Sequence, residues 1–213
     1  MRANAINRFA GAGIALLSVA VSGCGEYVRN SGRSPAQPII LLMQAASGAE
    51  PDKFGGTLLS DVLTMVDRTV NGQQVSVATI FNDLGQVTIS LILKDPGQAG
   101  LSSSPTAINQ ITFTRYRVVY KRTDGRNTPG VDVPYPLESA VTFTVPADQS
   151  ATASFELVRH TAKEEAPLRA LANSGVIITT IAEVTFYGRD QAGNDVSVTG
   201  NVGVDFGNFA DPS

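Results

Sequence analysis

The stretch from Ile108 to Arg122 limits the fold more than any other part of the chain. Within it Ile111 and Phe113 fall on one parity, whereas Tyr116, Val118 and Tyr120 fall on the other. Side chains of a strand alternate between two faces, so a strand with one buried face repeats its apolar residues at every second position. A single uninterrupted strand would throw one of those two sets onto the wrong face. The sequence therefore predicts a β-bulge or bend near Thr114 and Arg115, which corrects the phase and buries both sets.

The same period of two recurs along the chain. Val87, Ile89, Leu91 and Leu93 alternate with Thr88, Ser90, Ile92 and Lys94, until Asp95-Pro96-Gly97 stops them. Val141, Phe143 and Val145 lead to a turn at Pro146, and Ala153, Phe155 and Leu157 form the apolar parity of the next strand. Val62 to Val66 and Val75 to Phe81 flank Asn71-Gly72, a pair suited to the positive φ angles of a tight hairpin. Val176 to Asp190 and Val196 to Phe206 flank the turn Gln191 to Asn194 and predict a second hairpin. The first strand is expected to begin at Ile39, directly after Pro38. One helix is expected over Thr161 to Asn173, with Pro167 in a first-turn position, Glu164 and Glu165 as first-turn acids, and Leu168, Leu171 and Ala172 as its apolar stripe.

Eight or nine strands with one short helix predict an all-β fold, an antiparallel β-sandwich spanning residues 39–213 as a single domain. The layout from Ile39 to Phe209 resembles immunoglobulin-like and fibronectin-III-like sandwiches. It lacks the inter-sheet disulfide and core tryptophan of true immunoglobulin domains, so a transthyretin-like or other Greek-key strand order stays open.

Ahead of that domain, residues 1–23 contain Arg2 and Arg8 and no acid, and Phe9 to Val21 is uncharged and mostly apolar. A positive start, a short apolar run and small residues before a cut site describe a secretory signal peptide. The run is shorter than the ~20 residues a spanning helix needs. It ends in Val21-Ser22-Gly23-Cys24, which resembles the lipobox of bacterial lipoproteins and holds the single cysteine of the chain. That resemblance implies a diacylglyceryl thioether on the Cys24 sulfur, removal of the leader, and an acylated Cys24 as first residue. The alternative is an ordinary signal peptide with a chance thiol. Gly25 stands where an Asp would signal inner-membrane retention in Gram-negative lipoproteins, so the resemblance implies the outer membrane. Residues 24–38 are rich in Gly, Ser, Asn and Pro and read as a lipidated N-terminus and flexible tether.

The chain has 16 basic and 19 acidic side chains, and the leader removes only Arg2 and Arg8. The remainder is mildly acidic, which argues against nucleic acid as a partner. Catalysis has little to work with: His160 is the single histidine and sits at a strand end, where a surface or capping role is usual. The Gly-x-Ser-x-Gly and Ser-x-x-Lys signatures are missing from residues 24–213. One histidine and one acylated cysteine cannot supply the usual zinc ligand set, and no cofactor is expected. Asp190, Asn194 and Asp195 place oxygen ligands around one turn, as calcium requires, although β-turns prefer the same residues. Arg115, Arg117 and Lys121 share one face of the long strand, with Arg122 and Arg126 beyond. Such a ladder could bind lipopolysaccharide phosphates or acidic glycans, or could pair with carboxylates on neighbouring strands.

The expected function is that of a membrane-anchored cell-envelope lipoprotein acting as a non-catalytic binding or assembly module, held through its lipid and meeting an envelope protein or glycan. Two alternatives stand beside it. One is a carboxylate-dependent envelope hydrolase acting on glycans, which needs two acids converging in a cleft. The other is a structural or adhesive protein with Thr123 to Pro134 or Asp190 to Asp195 as its contact tip.

Overall fold

The computed structural model describes residues 32–95 and 106–210. The leader, the lipobox from Val21 to Cys24 and most of the tether lie outside the described residues. Among the described residues ten strands follow in order: β1 (Ala36–Ala46), β2 (Thr57–Asp61), β3 (Thr64–Val70), β4 (Gln73–Thr79), β5 (Asp83–Leu93), β6 (Ile111–Lys121), β7 (Leu137–Val145), β8 (Ala151–Val158), β9 (Ile178–Asp190) and β10 (Asp195–Gly207). They form a three-stranded sheet β1-β5-β8, a five-stranded sheet β2-β10-β9-β6-β7, and a separate hairpin β3–β4. The all-β sandwich expected from the alternation is the fold observed.

The bulge falls where the parity change demanded it. In both pairings of β6, with β7 and with β9, the register shifts between Phe113 and Arg115. Ile111 and Phe113 before the shift, and Tyr116, Val118 and Tyr120 after it, are all buried. The rings of Phe113 and Tyr116 meet others of their own sheet and of the sheet opposite. Phe186 of β9 lies between Phe113, Tyr116, Phe143 and Phe155, with ring centroids 5.2–6.3 Å away. Gly85 of β5 leaves room for the Phe155 ring, since a Cβ there would stand 2.3 Å from a ring carbon. The Tyr116 hydroxyl donates to the Glu156 carbonyl at 2.9 Å, and the Tyr120 hydroxyl to the Leu157 carbonyl at 2.6 Å. Both bonds run from β6 to β8 in the opposite sheet, so they tie the two layers together. Burial pushes both phenols above their ordinary range, which keeps them donors.

Several expectations need correction. The first strand starts at Ala36, which is buried, rather than at Ile39, so the tether ends before Pro38. The register of β1 shifts between Ile40 and Leu42, which explains why Leu41 and Leu42 break the alternation and are exposed. The sandwich is not wholly antiparallel, because β2 runs parallel to β10 from the pair Gly203–Thr57 to Gly207–Asp61. The chain doubles back through the turns after Ala46, held by the antiparallel bridge of Ala45 to Gly55, and then re-enters in the direction of β1. The Asn71-Gly72 hairpin forms, but between Thr64–Val70 and Gln73–Thr79.

The expected helix is split. A short α1 (His160–Lys163) is followed by a 3-10 turn at Leu168–Asn173, with Pro167 between them. Proline lacks the N–H for a continuing helix and pushes the preceding residue away from helical angles. Glu164 consequently caps the end of α1 instead of lying in a first turn. Leu168 and Leu171 are buried as the apolar stripe required.

The connections give the sandwich two distinct ends. At the N-terminal end β1, β6, β8 and β10 begin and β5, β7 and β9 finish, as the registers require. The far end carries α1, the loop between Lys121 and Leu137, and the β3–β4 hairpin, which leaves after Asp61 and returns at Asp83.

Candidate functional site

The outer face of the five-stranded sheet displays Arg115, Arg117 and Lys121, all exposed. Their neighbours are carboxylates. Glu138 of β7 lies 3.7 Å from Arg115 and 3.4 Å from Arg117, and Glu183 of β9 lies 2.8 Å from Lys121. Threonine pairs cross the same face, Thr112 with Thr144 and Thr185 with Thr199, both at 2.9 Å. Of the two readings of this ladder, cross-strand pairing is the arrangement present. Each such exposed pair contributes little, roughly 0–1 kcal/mol. Arg122 and Arg126 both engage Asp124, at 2.6 and 3.0 Å. The Arg122 guanidinium is the main reason that carboxyl lies well below the ordinary range.

One part of the ladder meets another sequence candidate. Arg115, just past the bulge, faces a shallow open groove of about 580 Å³ at the N-terminal end, lined also by Tyr187, Arg189, Gln191, Asp190 and Asp195. Its guanidinium carbon sits 4.1 Å from the centre of the Tyr187 ring, a cation–π contact. Arg117 and Lys121 lie farther along β6 and do not line the groove.

The three residues considered for calcium share the β9–β10 turn and are engaged with protein groups. Asp190 accepts from the backbone N–H groups of Ala192 and Asn194 at 3.0 and 2.8 Å, and from Asn194 Nδ2 at 2.8 Å. Asn194 therefore turns its nitrogen, not its oxygen, toward that carboxylate. Asp195 pairs with Arg189 at 2.8 Å. Among the described residues no three His, Cys, Asp or Glu side chains converge.

Burial is the largest single influence on the Asp190 carboxyl and pushes it up, but the hydrogen bonds it accepts, led by those from Asn194, together outweigh it and the net direction is down. A carboxyl lowered in the folded state stabilises at pH above its unfolded value of ~3.9, and that contribution is lost as pH falls through the lower folded value. The Asp190 carbon resonance should thus titrate below ~3.9, with the Asn194 amide moving in step. A midpoint at or above the unfolded value would remove the Asx-turn account.

At the far end lies a cluster that no sequence motif marks. Lys163 of α1 and Asp83 of β5 form an ion pair at 2.8 Å with side chains only 1% and 0% exposed. Asp83 also accepts from Ser60 Oγ at 2.6 Å and from the Gly48 N–H at 3.0 Å. Lys163 Nζ donates a further bond to the Asp61 carbonyl at 2.9 Å. Burial pushes the Asp83 carboxyl up, while Lys163, Ser60 and Gly48 pull it back. The Asp61 carboxylate takes Thr64 Oγ1 and the N–H groups of Leu63 and Phe209 at 3.1–3.3 Å. Ser60 directs its proton at a carboxylate and is fully buried, so the group is arranged to lock elements together rather than to attack a substrate. It joins β2, β5, α1, the turn after β1 and the chain after β10.

No family model, curated protein or solved structure matches this chain.

A signal for the cluster was present in β5. Asp83 has the parity of Val87, Ile89 and Leu91, which are buried. A carboxylate on a buried parity calls for a partner, and only the folded chain reveals that Lys163 supplies it. His160 is exposed, and its backbone N–H and Nδ1 both meet Asn82 Oδ1, at 2.6 and 2.9 Å. Asn82, just ahead of β5, thus satisfies the first backbone N–H of α1, and His160 lies at the surface.

Proposed function

We infer that this chain is a lipoprotein of the cell envelope, held in the membrane by acylated Cys24, whose sandwich is a non-catalytic binding or assembly module. The observation that carries the reading is the place where the tether meets the body. The lipobox precedes β1 by a short segment, and β1 begins at the end of the sandwich opposite α1 and the β3–β4 hairpin. From Cys24 to Ala36 an extended chain reaches at most about 40 Å. The N-terminal end, with its Arg115–Tyr187 groove, therefore stays close to the lipid surface, and the far end is presented to partners. Gly25 after Cys24 favours the outer membrane.

The ladder of Arg115, Arg117 and Lys121 is largely neutralised by Glu138 and Glu183. A protein partner met by shape and apolar contact fits this surface better than a phosphate-rich ligand. Anchoring follows from acyl burial, at ~0.8 kcal/mol per methylene, with two or more chains needed for stable attachment. Cells grown with radioactive palmitate should label the wild-type chain and leave Cys24→Ala unlabelled. The wild type should partition with detergent and the variant with the aqueous phase. An unlabelled wild type would end this reading.

A further inference from the structure

The β3–β4 hairpin belongs to neither sheet, and among the described residues β4 has no neighbour on its outer edge. A bare edge is a template for another strand, and proteins usually blunt it with charge, proline or a bulge. The β4 sequence, Gln-Gln-Val-Ser-Val-Ala-Thr, carries none of these devices. The two-residue turn has positive φ at Asn71 (53°) and Gly72 (78°), the type I′ geometry that closes on a hydrogen-bonded Val70–Gln73 pair. Hydrogen-bonded and open pairs then alternate up the ladder. The backbone groups of Gln74, Ser76 and Ala78 consequently point outward from the hairpin.

That phase matches the side chains. Val66, Val70, Val75 and Val77 lie on one face of the hairpin together with Arg68 and Gln73, and Val70 and Val75 are 50% and 42% exposed. A twofold axis through Ser76 pairs Gln74 with Ala78 of a second copy and Ser76 with its own equivalent, all through outward-pointing backbone groups. The same axis sets Val75 opposite Val77 in the non-hydrogen-bonded position, where side chains approach most closely. No charge meets a like charge. The outer edge of β3 is different, because the equivalent axis would centre on Asp67 and oppose two carboxylates.

We propose that a second copy of this chain docks on the β4 edge, antiparallel and centred on Ser76, to make a four-stranded sheet whose two central strands bring Val75 and Val77 of both copies together on one face. The assembly closes at two copies, since each chain has one β4 and the outer β3 edges are guarded by Asp67 and Arg68. The pairing depends on the hairpin and not on the lipid anchor.

The full-length processed protein in detergent should sediment with twice its polypeptide mass at micromolar concentration. Ser76→Pro removes one outward N–H without touching the β3–β4 ladder, and should return the chain to monomer, with an unfolding midpoint that, unlike the wild type's, does not change with protein concentration. Val77→Lys should do the same by placing a charge in the valine face. Under mild oxidation Ser76→Cys should give a reducible dimer that Asp67→Cys does not. A monomeric wild type at ~100-fold higher concentration than these assays, where any pairing of this kind would be populated, would overturn the proposal. So would a dimer that survives both Ser76→Pro and Val77→Lys.

Discussion

Replacing Lys163 by methionine is expected to lower the unfolding free energy by about 3–5 kcal/mol, because it strands a buried carboxylate. Asp83 is fully buried, and its ammonium partner lies 2.8 Å away. Burial already works against the charged carboxylate. With Lys163 gone, Ser60 and Gly48 remain as donors, but the compensating charge does not. The Asp61 carbonyl also loses a bond. The double variant Asp83→Leu/Lys163→Met should cost less than the sum of its single changes, since the second replacement no longer leaves a lone charge. Urea unfolding monitored by circular dichroism measures this, as a shifted midpoint with an unchanged slope. A loss under ~1 kcal/mol for Lys163→Met, the size of a surface pair, would contradict the lock.

Phe186→Ala should cost a similar ~3–5 kcal/mol by a different route. Phe186 is fully buried and touches the rings of Phe113, Phe143 and Tyr116 in its own sheet and Phe155 across the layers. Those rings are held by strands on both sides, and Phe155 is seated against the bare backbone of Gly85. The walls have little freedom to collapse, so most of the deleted volume would persist as a cavity. Phe186→Leu, which keeps more of the volume, should cost clearly less. The two tyrosine hydroxyl bonds between the layers should survive in both variants. Equal losses for alanine and leucine would show that the aromatic cluster is not close-packed.

The sandwich was legible in the sequence because burial imposes a period of two. The parity break between Phe113 and Tyr116 located a bulge to within a residue, and Asn71-Gly72 and Gln191–Asn194 located both hairpins. What escaped was whatever depended on distant partners. Thr57–Asp61 is too short to show a period, and its parallel pairing with β10 is set by how the chain doubles back after Ala46. The helix over Thr161 to Asn173 looked continuous by spacing, whereas Pro167 broke it and left Lys163 pointing into the core. In a helix a lysine is ordinarily solvated, so nothing local marked this one. The candidate site was half legible. Arg115, Asp190 and Asp195 do meet around one groove, but Tyr187 enters it from β9, which no spacing along β6 could reveal. The paired carboxylates Glu138 and Glu183 likewise come from other strands.

Mass spectrometry of the N-terminal peptide from the purified envelope protein bears most directly on the anchored-module account. It should begin at Cys24 and carry the added mass of a diacylglyceryl thioether, with none of residues 1–23 attached. An N-terminus at any other residue, or a Cys24 sulfur without lipid, would contradict it.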